Sequence, residues 1–288
     1  LLATMVMWST LTPSLRYLKD LSQPLVSLIR MGVAFLALFI LIMWKKENLK
    51  IEKKDIWLVI LLGILIGYIP PLTLGIGVSF TSAILGAILI NTSSLFIPVY
   101  TYILLKQKFN LRGFLFALLG VIGIVIVSLS KEIKFSTNSV YFFGIILLVS
   151  GAAAIGINTV LSKKLLEKYG SLKFTALAML VGFISLLVHN IITADIYKIA
   201  NLSLSNFALI LYIGLVPTAL IWFLFLSSLK HLPPLQCSVF KLLIPVFTSI
   251  ISVIFLKEQL TINIIIGGAI VMLSVFLVQK YGNAQESL

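Results

Sequence analysis

The sequence predicts an all-α polytopic membrane protein. Three observations carry that prediction: 60% of its 288 residues are hydrophobic, only 11% are charged, and its charge-free stretches are long enough to span a bilayer. A soluble domain carries roughly a quarter of its residues as Asp, Glu, Lys and Arg. With a mean hydropathy of +1.15, this chain has no such surface. A hydrocarbon core takes about 20 apolar residues per helical crossing, and the run Ile56–Leu105 alone has 50 residues without a charge. As one helix that run would extend about 75 Å at 1.5 Å per residue, so it turns, and Gly75, Gly77 and Ser79 mark the expected place. A transmembrane β-barrel would alternate in polarity; these runs are apolar all round and read as helices, which satisfy their own backbone where no water is available.

Ten crossings follow in order: Leu1–Leu15, Pro24–Trp44, Ile56–Leu74, Thr81–Leu105, Arg112–Leu129, Val140–Ser162, Leu172–Ile192, Asn206–Ser228, Pro234–Leu256 and Ile262–Gln279. The charged connections between them separate into two sets. One set (Lys45–Asp55, Lys106–Arg112, Lys163–Lys173, Lys230 and Lys280) holds 14 basic residues, and the alternate set holds 6. The positive-inside rule places the richer set, and both termini, in the cytoplasm. The net charge of +13 is therefore topological and does not indicate a nucleic-acid partner. The single cysteine, Cys237, excludes an intrachain disulfide and reads as a small packing residue. No cleavable signal peptide is recognisable, and because the chain opens inside an apolar run without methionine, residues upstream are expected.

A shift of 151 residues superposes the chain on itself. Lys106-Gln107-Lys108-Phe109 falls on Lys257-Glu258-Gln259-Leu260, Val99 on Ile250 and Gly63 on Gly214. The expected organisation is two five-helix repeats, residues 1–130 and 131–288. Five is odd, so the second repeat enters the membrane inverted relative to the first, an architecture of secondary transporters with a central site near the midplane.

The motifs Gly214-Leu-Val-Pro-Thr-Ala-Leu-Ile-Trp222, His231-Leu-Pro-Pro234, Ile244-Pro-Val-Phe247 and Phe255-Leu-Lys-Glu-Gln-Leu260 occur in this order. They are echoed by Met7-Trp-Ser9, Gln23-Pro24 and Ser27-Leu-Ile-Arg30 in the first half. In order and spacing the whole chain resembles EamA-type transporters of the drug/metabolite transporter superfamily. The resemblance implies a ten-helix secondary transporter that exports small metabolites, amino acids prominent among them. Gln107 stands where the family usually has Glu, and Ser94 where it has Pro, with Pro98 one turn later.

Ionisable residues within a bilayer are functional candidates by default. All nine acidic residues fall in connections, tails or a last helical turn, so no carboxylate is expected mid-membrane. Arg30 and Lys241 are the two bases within crossings. Two readings stay open for Lys241: its ammonium snorkels to the headgroups, or it faces the cavity and binds a carboxylate. Arg30, near the outer end of its crossing, is expected to snorkel or to bond backbone carbonyls. Asn91 and Asn158 read as interhelical hydrogen-bond donors or as groups orienting substrate, and Trp8, Tyr68, Tyr100 and Trp222 as aromatic walls or interfacial anchors. Pro70, Pro71, Pro98, Pro217 and Pro245 remove backbone bonds and can kink helices. Gly86, Gly120, Gly123, Gly151, Gly156, Gly267 and Gly268 suit close helix approach.

No phosphate-binding Gly-rich loop, nucleophile elbow or zinc-helix motif is present, and neither an enzymatic activity nor a cofactor or metal is expected. The expected function is export of small polar metabolites such as amino acids by alternating access. Lys241, Asn91, Trp8, Tyr68, Trp222 and Asn158 form the candidate site. Coupling is either absent or runs through Lys241, Glu258 or the charge of the solute. Efflux of lipophilic cations would profit from a buried acid, which is missing. Nucleotide-sugar or sugar-phosphate exchange would want more than two intramembrane bases. An embedded enzyme or a non-transporting scaffold lacks convergent acids, His or Cys. The expected partners are the solute and the bilayer, as a monomer or homodimer in the cell membrane. Impermeant amine labelling is predicted to reach Lys53 and Lys164 from the same face of the membrane; modification from opposite faces would refute the antiparallel repeat.

Overall fold

The computed structural model describes residues 2–48, 50–106, 111–128, 139–228, 241 and 243–281. Gln107, His231 and Cys237 lie outside the described residues, as do the side chains of Ser94 and Pro98. Every regular element among the described residues is helical. In chain order they are α1 (Leu2–Ser9), α2 (Leu11–Tyr17), α3 (Gln23–Trp44), α4 (Ile56–Gly63), α5 (Ile69–Phe80), α6 (Ala83–Asn91), α7 (Ser93–Leu105), α8 (Leu111–Ser128), α9 (Ser139–Tyr169), α10 (Ser171–Ile192), α11 (Leu204–Ile213), α12 (Ile221–Ser228), α13 (Leu243–Leu256) and α14 (Ile262–Tyr281). Wider π-helical turns, Ile64–Tyr68 and Gly214–Leu220, join α4 to α5 and α11 to α12.

Five of the resulting helices are long and apolar enough to cross a membrane: Gln23–Trp44, Lys53–Phe80, Ser139–Tyr169, Ser171–Ile192 and Leu204–Phe225. Leu243–Leu256 and Ile262–Val278 are shorter apolar helices. Large apolar side chains such as Leu36, Ile40, Ile146, Ile184, Ile254 and Leu273 are exposed on their outward faces. In water such faces would be an aggregation liability; against lipid they are the expected surface.

Several helices depart from the sequence reading, each for a local reason. The first crossing is broken at Thr10, where the Ser9 and Thr10 hydroxyls donate to the carbonyls of Val6 and Met7, competing with the helical ladder. The third crossing does not turn at Gly75–Ser79. It runs on to Phe80, because Gly75 and Gly77 are contact positions inside α5: a Cβ on Gly77 would lie 2.6 Å from Leu148 Cγ. The turn comes at Thr81-Ser82, where the Ser82 hydroxyl caps α6 by accepting from Leu85 N. The fourth crossing breaks at Thr92 into α6 and α7. The sixth continues to Tyr169, seven residues past the expected end, and carries Lys163, Lys164 and Lys168 beyond the apolar span.

Prolines interrupt the helical ladder in this bundle, and buried threonines bond carbonyls beside two of the breaks. A proline has no N–H to bond the carbonyl four residues earlier. Pro217 lies within the second π turn, where the buried Thr218 hydroxyl donates to Ile213 O at 2.7 Å. Pro13 would leave Ser9 O unpaired; the buried Thr248 hydroxyl, from α13, donates to it at 3.0 Å. A similar economy of space joins α10 to the first π turn, where Gly182 and Gly67 stack backbone on backbone and a Cβ on Gly182 would lie 2.3 Å from Gly67 O. α3 packs on α10, α5 on α9, α8 on α14 and α6 on α13.

The two ends of the bundle are held by polar contacts. At the start of the Lys53–Phe80 helix, Lys168 Nζ reaches Glu52 and Asp55 at 2.6 Å each. There the Tyr169 hydroxyl also donates to Asp55 at 2.6 Å, and Lys173 Nζ donates to Lys50 O. Hydrogen bonds from Lys168 and Lys54 hold the Glu52 carboxyl below its ordinary range. The connections preceding the third and seventh crossings therefore meet at one end. At the far end of the same helix, Arg16 Nη1 donates to Val78 O at 3.0 Å and Ser79 O at 2.6 Å.

Thr218→Val and Thr248→Val each remove a buried hydrogen bond to a main-chain carbonyl and should cost about 0.5–1.5 kcal/mol. Thermal unfolding in nanodiscs reads this as lowered melting temperatures, and Ser at either position should restore most of the loss.

Candidate functional site

The helix irregularities converge on one cavity of ≈ 100 Å³. Trp8 and Thr12 flank the break in the first crossing, and Asn91 and Ser93 flank the break in the fourth. Ile66, Pro70 and Pro71 come from the π turn and the start of α5, while Pro217 and Thr218 come from the second π turn. π turns insert a residue into a helix and open its ladder, which is why they recur at functional sites. Trp222, Lys241 and Ile244 close the wall from α12 and the ninth crossing.

Lys241 is brought to the cavity. Its ammonium stands 4.3 Å from the Phe225 ring centroid and 5.6 Å from that of Trp8, within cation–π range. The Trp8 ring meets Trp222 edge-on at 5.2 Å and Phe225 at 5.6 Å, so three aromatic rings form a corner beneath the charge. Asn91 lines the same cavity, half-buried, with its amide Nδ2 donating to Ala87 O at 2.8 Å. Four of the six expected site residues, Lys241, Asn91, Trp8 and Trp222, thus share one wall system.

Tyr68 and Asn158 do not line the cavity. The Tyr68 hydroxyl pairs with His189 Nδ1 at 3.1 Å, binding the first π turn to α10. Buried Asn158 donates Nδ2 to Leu62 O at 3.0 Å, joining α9 to α4. Both are structural hydrogen bonds between helices. Arg30 also departs from expectation. It neither snorkels nor bonds backbone: it is 2% exposed, its Nε and Nη1 have no hydrogen-bond partner, and it lines the cavity. The sequence offered no phase for a helix apolar on every face, so nothing local indicated that Arg30 points inward. Thr12, 5% exposed with its hydroxyl also without a partner, was missed for the same reason.

Among the described residues lining the cavity, Arg30 and Lys241 are cationic and none is acidic. No group of three or more His, Cys, Asp or Glu suited to a metal occurs among the described residues. Glu258 closes one end of the bundle. Its carboxylate accepts from Ala83 N at 2.8 Å and Ile84 N at 3.2 Å, capping α6, and lies 3.8 Å from Arg16. A carboxylate at a helix N-terminus satisfies orphan N–H groups and meets the positive end of the helix dipole.

The broken helices thus surround a largely apolar cavity that carries two cationic side chains, Arg30 and Lys241. The chain belongs to the EamA-like transporter family, whose model matches residues 1–129 and 142–279. It is a membrane transporter and not an enzyme. An uncharacterized transporter of Archaeoglobus fulgidus is 24% identical over 281 residues, 96% of each chain. An uncharacterized transporter of Clostridium kluyveri is 27% identical over 225 residues, covering 77% of this chain and 72% of its own. The uncharacterized transporter YoaV of Bacillus subtilis is 24% identical, over 90% and 87% of the two chains. One solved crystal structure superposes with a TM-score of 0.67 at 13% identity, covering 97% of this chain and 96% of its own, and shares the fold.

Glu258→Ala leaves Ser82 as the α6 cap but removes the acceptor of the Ala83 and Ile84 N–H groups and the Arg16 partner together, and should cost about 0.5–2 kcal/mol. A drop in melting temperature checks this, and Glu258→Asp should recover part of it.

Proposed function

We propose that the protein is a cell-membrane secondary transporter that exports small polar metabolites, amino acids among them, by alternating access around the cavity at Lys241 and Asn91. The carrying observation is that the breaks of the first and fourth crossings and both π turns open onto that one cavity. Discontinuous helices place backbone and side-chain dipoles where a solute is held.

Internal symmetry supports two inverted repeats, 1–130 and 131–288. The π turns at Ile64–Tyr68 and Gly214–Leu220 fall on one another under the 151-residue shift. So do Lys106 and Lys257, which end helices in the left-handed region at φ +52° and +54°. The helix pairs α3–α10, α6–α13 and α8–α14 each join a crossing to its counterpart, as a twofold axis in the membrane plane requires. The family match also falls in two stretches that follow these halves. With both termini cytoplasmic, the Arg16–Glu258 end faces outward and the Lys168–Glu52–Asp55 end faces the cytoplasm.

The test is counterflow in proteoliposomes. Labelled amino acids and organic acids should exchange through the wild-type protein, and Lys241→Met should slow exchange at least tenfold. Unchanged flux and unchanged pH dependence in that variant would remove Lys241 from the site. Absence of counterflow for every solute in the set would overturn the transport reading of the cavity.

A further inference from the structure

We infer that Arg30 is the anion anchor of the cavity, binding the carboxylate of a small organic acid, so that the solute carried bears a net negative charge. The inference deepens the transport reading and rests on it only for the use of the cavity as the carrier's site.

Arg30 is among the largest fully enclosed side chains in the protein, yet Nε and Nη1 find no acceptor and no carboxylate pairs with it. A guanidinium taken out of water without a counter-charge is costly. Bundles normally avoid that cost by pairing the group with an acid or with backbone carbonyls. Its neighbours do neither. Ser27, one turn earlier on α3, donates its hydroxyl to Pro71 O, and Asn91 is engaged with Ala87 O. Thr12 adds a second unpartnered buried hydroxyl on the same wall.

The other walls decide the charge and size of the solute. Lys241 supplies a second positive charge, and among the described residues lining the cavity none supplies a negative one. The ammonium of a zwitterion would enter a chamber whose fixed charges both repel it, whereas an anion is attracted by both. The guanidinium presents parallel N–H donors that match the two oxygens of a carboxylate, which a lysine cannot do. Trp8, Met31, Ile66, Leu74, Ile155 and Ile244 leave the remainder of the chamber apolar. Its ≈ 100 Å³ corresponds to roughly seven to ten water positions at about 10–15 Å³ each. That is the size of an organic acid of about four to six carbons.

The experiment uses purified full-length protein in nanodiscs. Binding is read from the fluorescence of the cavity tryptophans, Trp8 and Trp222, during titration with glutarate, glutamine, cadaverine and inorganic phosphate. Glutarate is expected to bind at least tenfold tighter than glutamine, with cadaverine not binding. Arg30→Gln should weaken glutarate at least tenfold, and Arg30→Lys by an intermediate amount. A second readout separates binding from scaffolding: without ligand, Arg30→Met should melt at a higher temperature than wild type, because it removes an unpaired buried charge. A fall in melting temperature would mark a structural role and overturn the inference. So would glutamine or cadaverine binding as tightly as glutarate, or Arg30→Gln binding glutarate with unchanged affinity. Phosphate binding without glutarate binding would reject the carboxylate assignment. Counterflow of glutamine without glutarate binding would sink the inference while leaving transport intact. Glutarate binding without counterflow of any solute would do the reverse.

Discussion

The constraint on which this structure depends is the absence of water from the hydrocarbon core. There each backbone and side-chain polar group must find its partner within the protein. The bundle meets this demand with unusual economy at its irregular points. Thr218 donates to Ile213 O beside Pro217 within its own segment, and Thr248 answers the carbonyl freed by Pro13 from a different helix. Asn158 reaches the carbonyl of Leu62 just ahead of the first π turn. Because such breaks are satisfied locally, helices can stop and restart in the interior without unravelling. The interruptions then become walls of a chamber.

Against that background of satisfied groups, the buried Arg30 stands apart. Lys241 rests over the rings of Phe225 and Trp8, an apolar corner that tolerates an ammonium through the electron-rich faces of the rings. Arg30 has no such accommodation from hydrogen-bond acceptors. A site that leaves charge undercompensated is disposed to accept a solute of opposite sign, since occupation relieves the cost that the empty protein bears. Glu258 marks the opposite strategy. Its charge is consumed in capping α6, through two backbone N–H groups and the nearby Arg16.

Much of this was legible in the sequence, and the limits follow from physics. Charge-free runs located the helices because the bilayer tolerates little else, and the spacing of lysines located the connections. Lys241, Asn91, Trp8 and Trp222, which line the cavity, were legible as candidates because polar and indole groups inside apolar runs are rare. The phase of a helix that is apolar on all sides is not encoded locally. Arg30 was therefore placed at the lipid boundary when it faces inward, and Thr12 was passed over. Tyr68 was diverted by His189, 121 residues away, a partner that only packing reveals. Pro217 lies within the second π turn and Pro70 just past the first, but neither turn has a signature of its wider pitch. Gly75 and Gly77 looked like a turn and serve instead as flat surfaces for Leu148 and Gln23.

The account stands or falls on whether the chamber is reached from both sides of the membrane. The direct measurement is the accessibility of a thiol placed in it, Asn91→Cys in a Cys237→Ser background, to an impermeant reagent applied to either face of sealed vesicles. Alternating access predicts modification from both faces, at rates that shift in opposite directions when a bound solute biases the conformational equilibrium. Modification from a single face under every condition, with no response to solute, would contradict it.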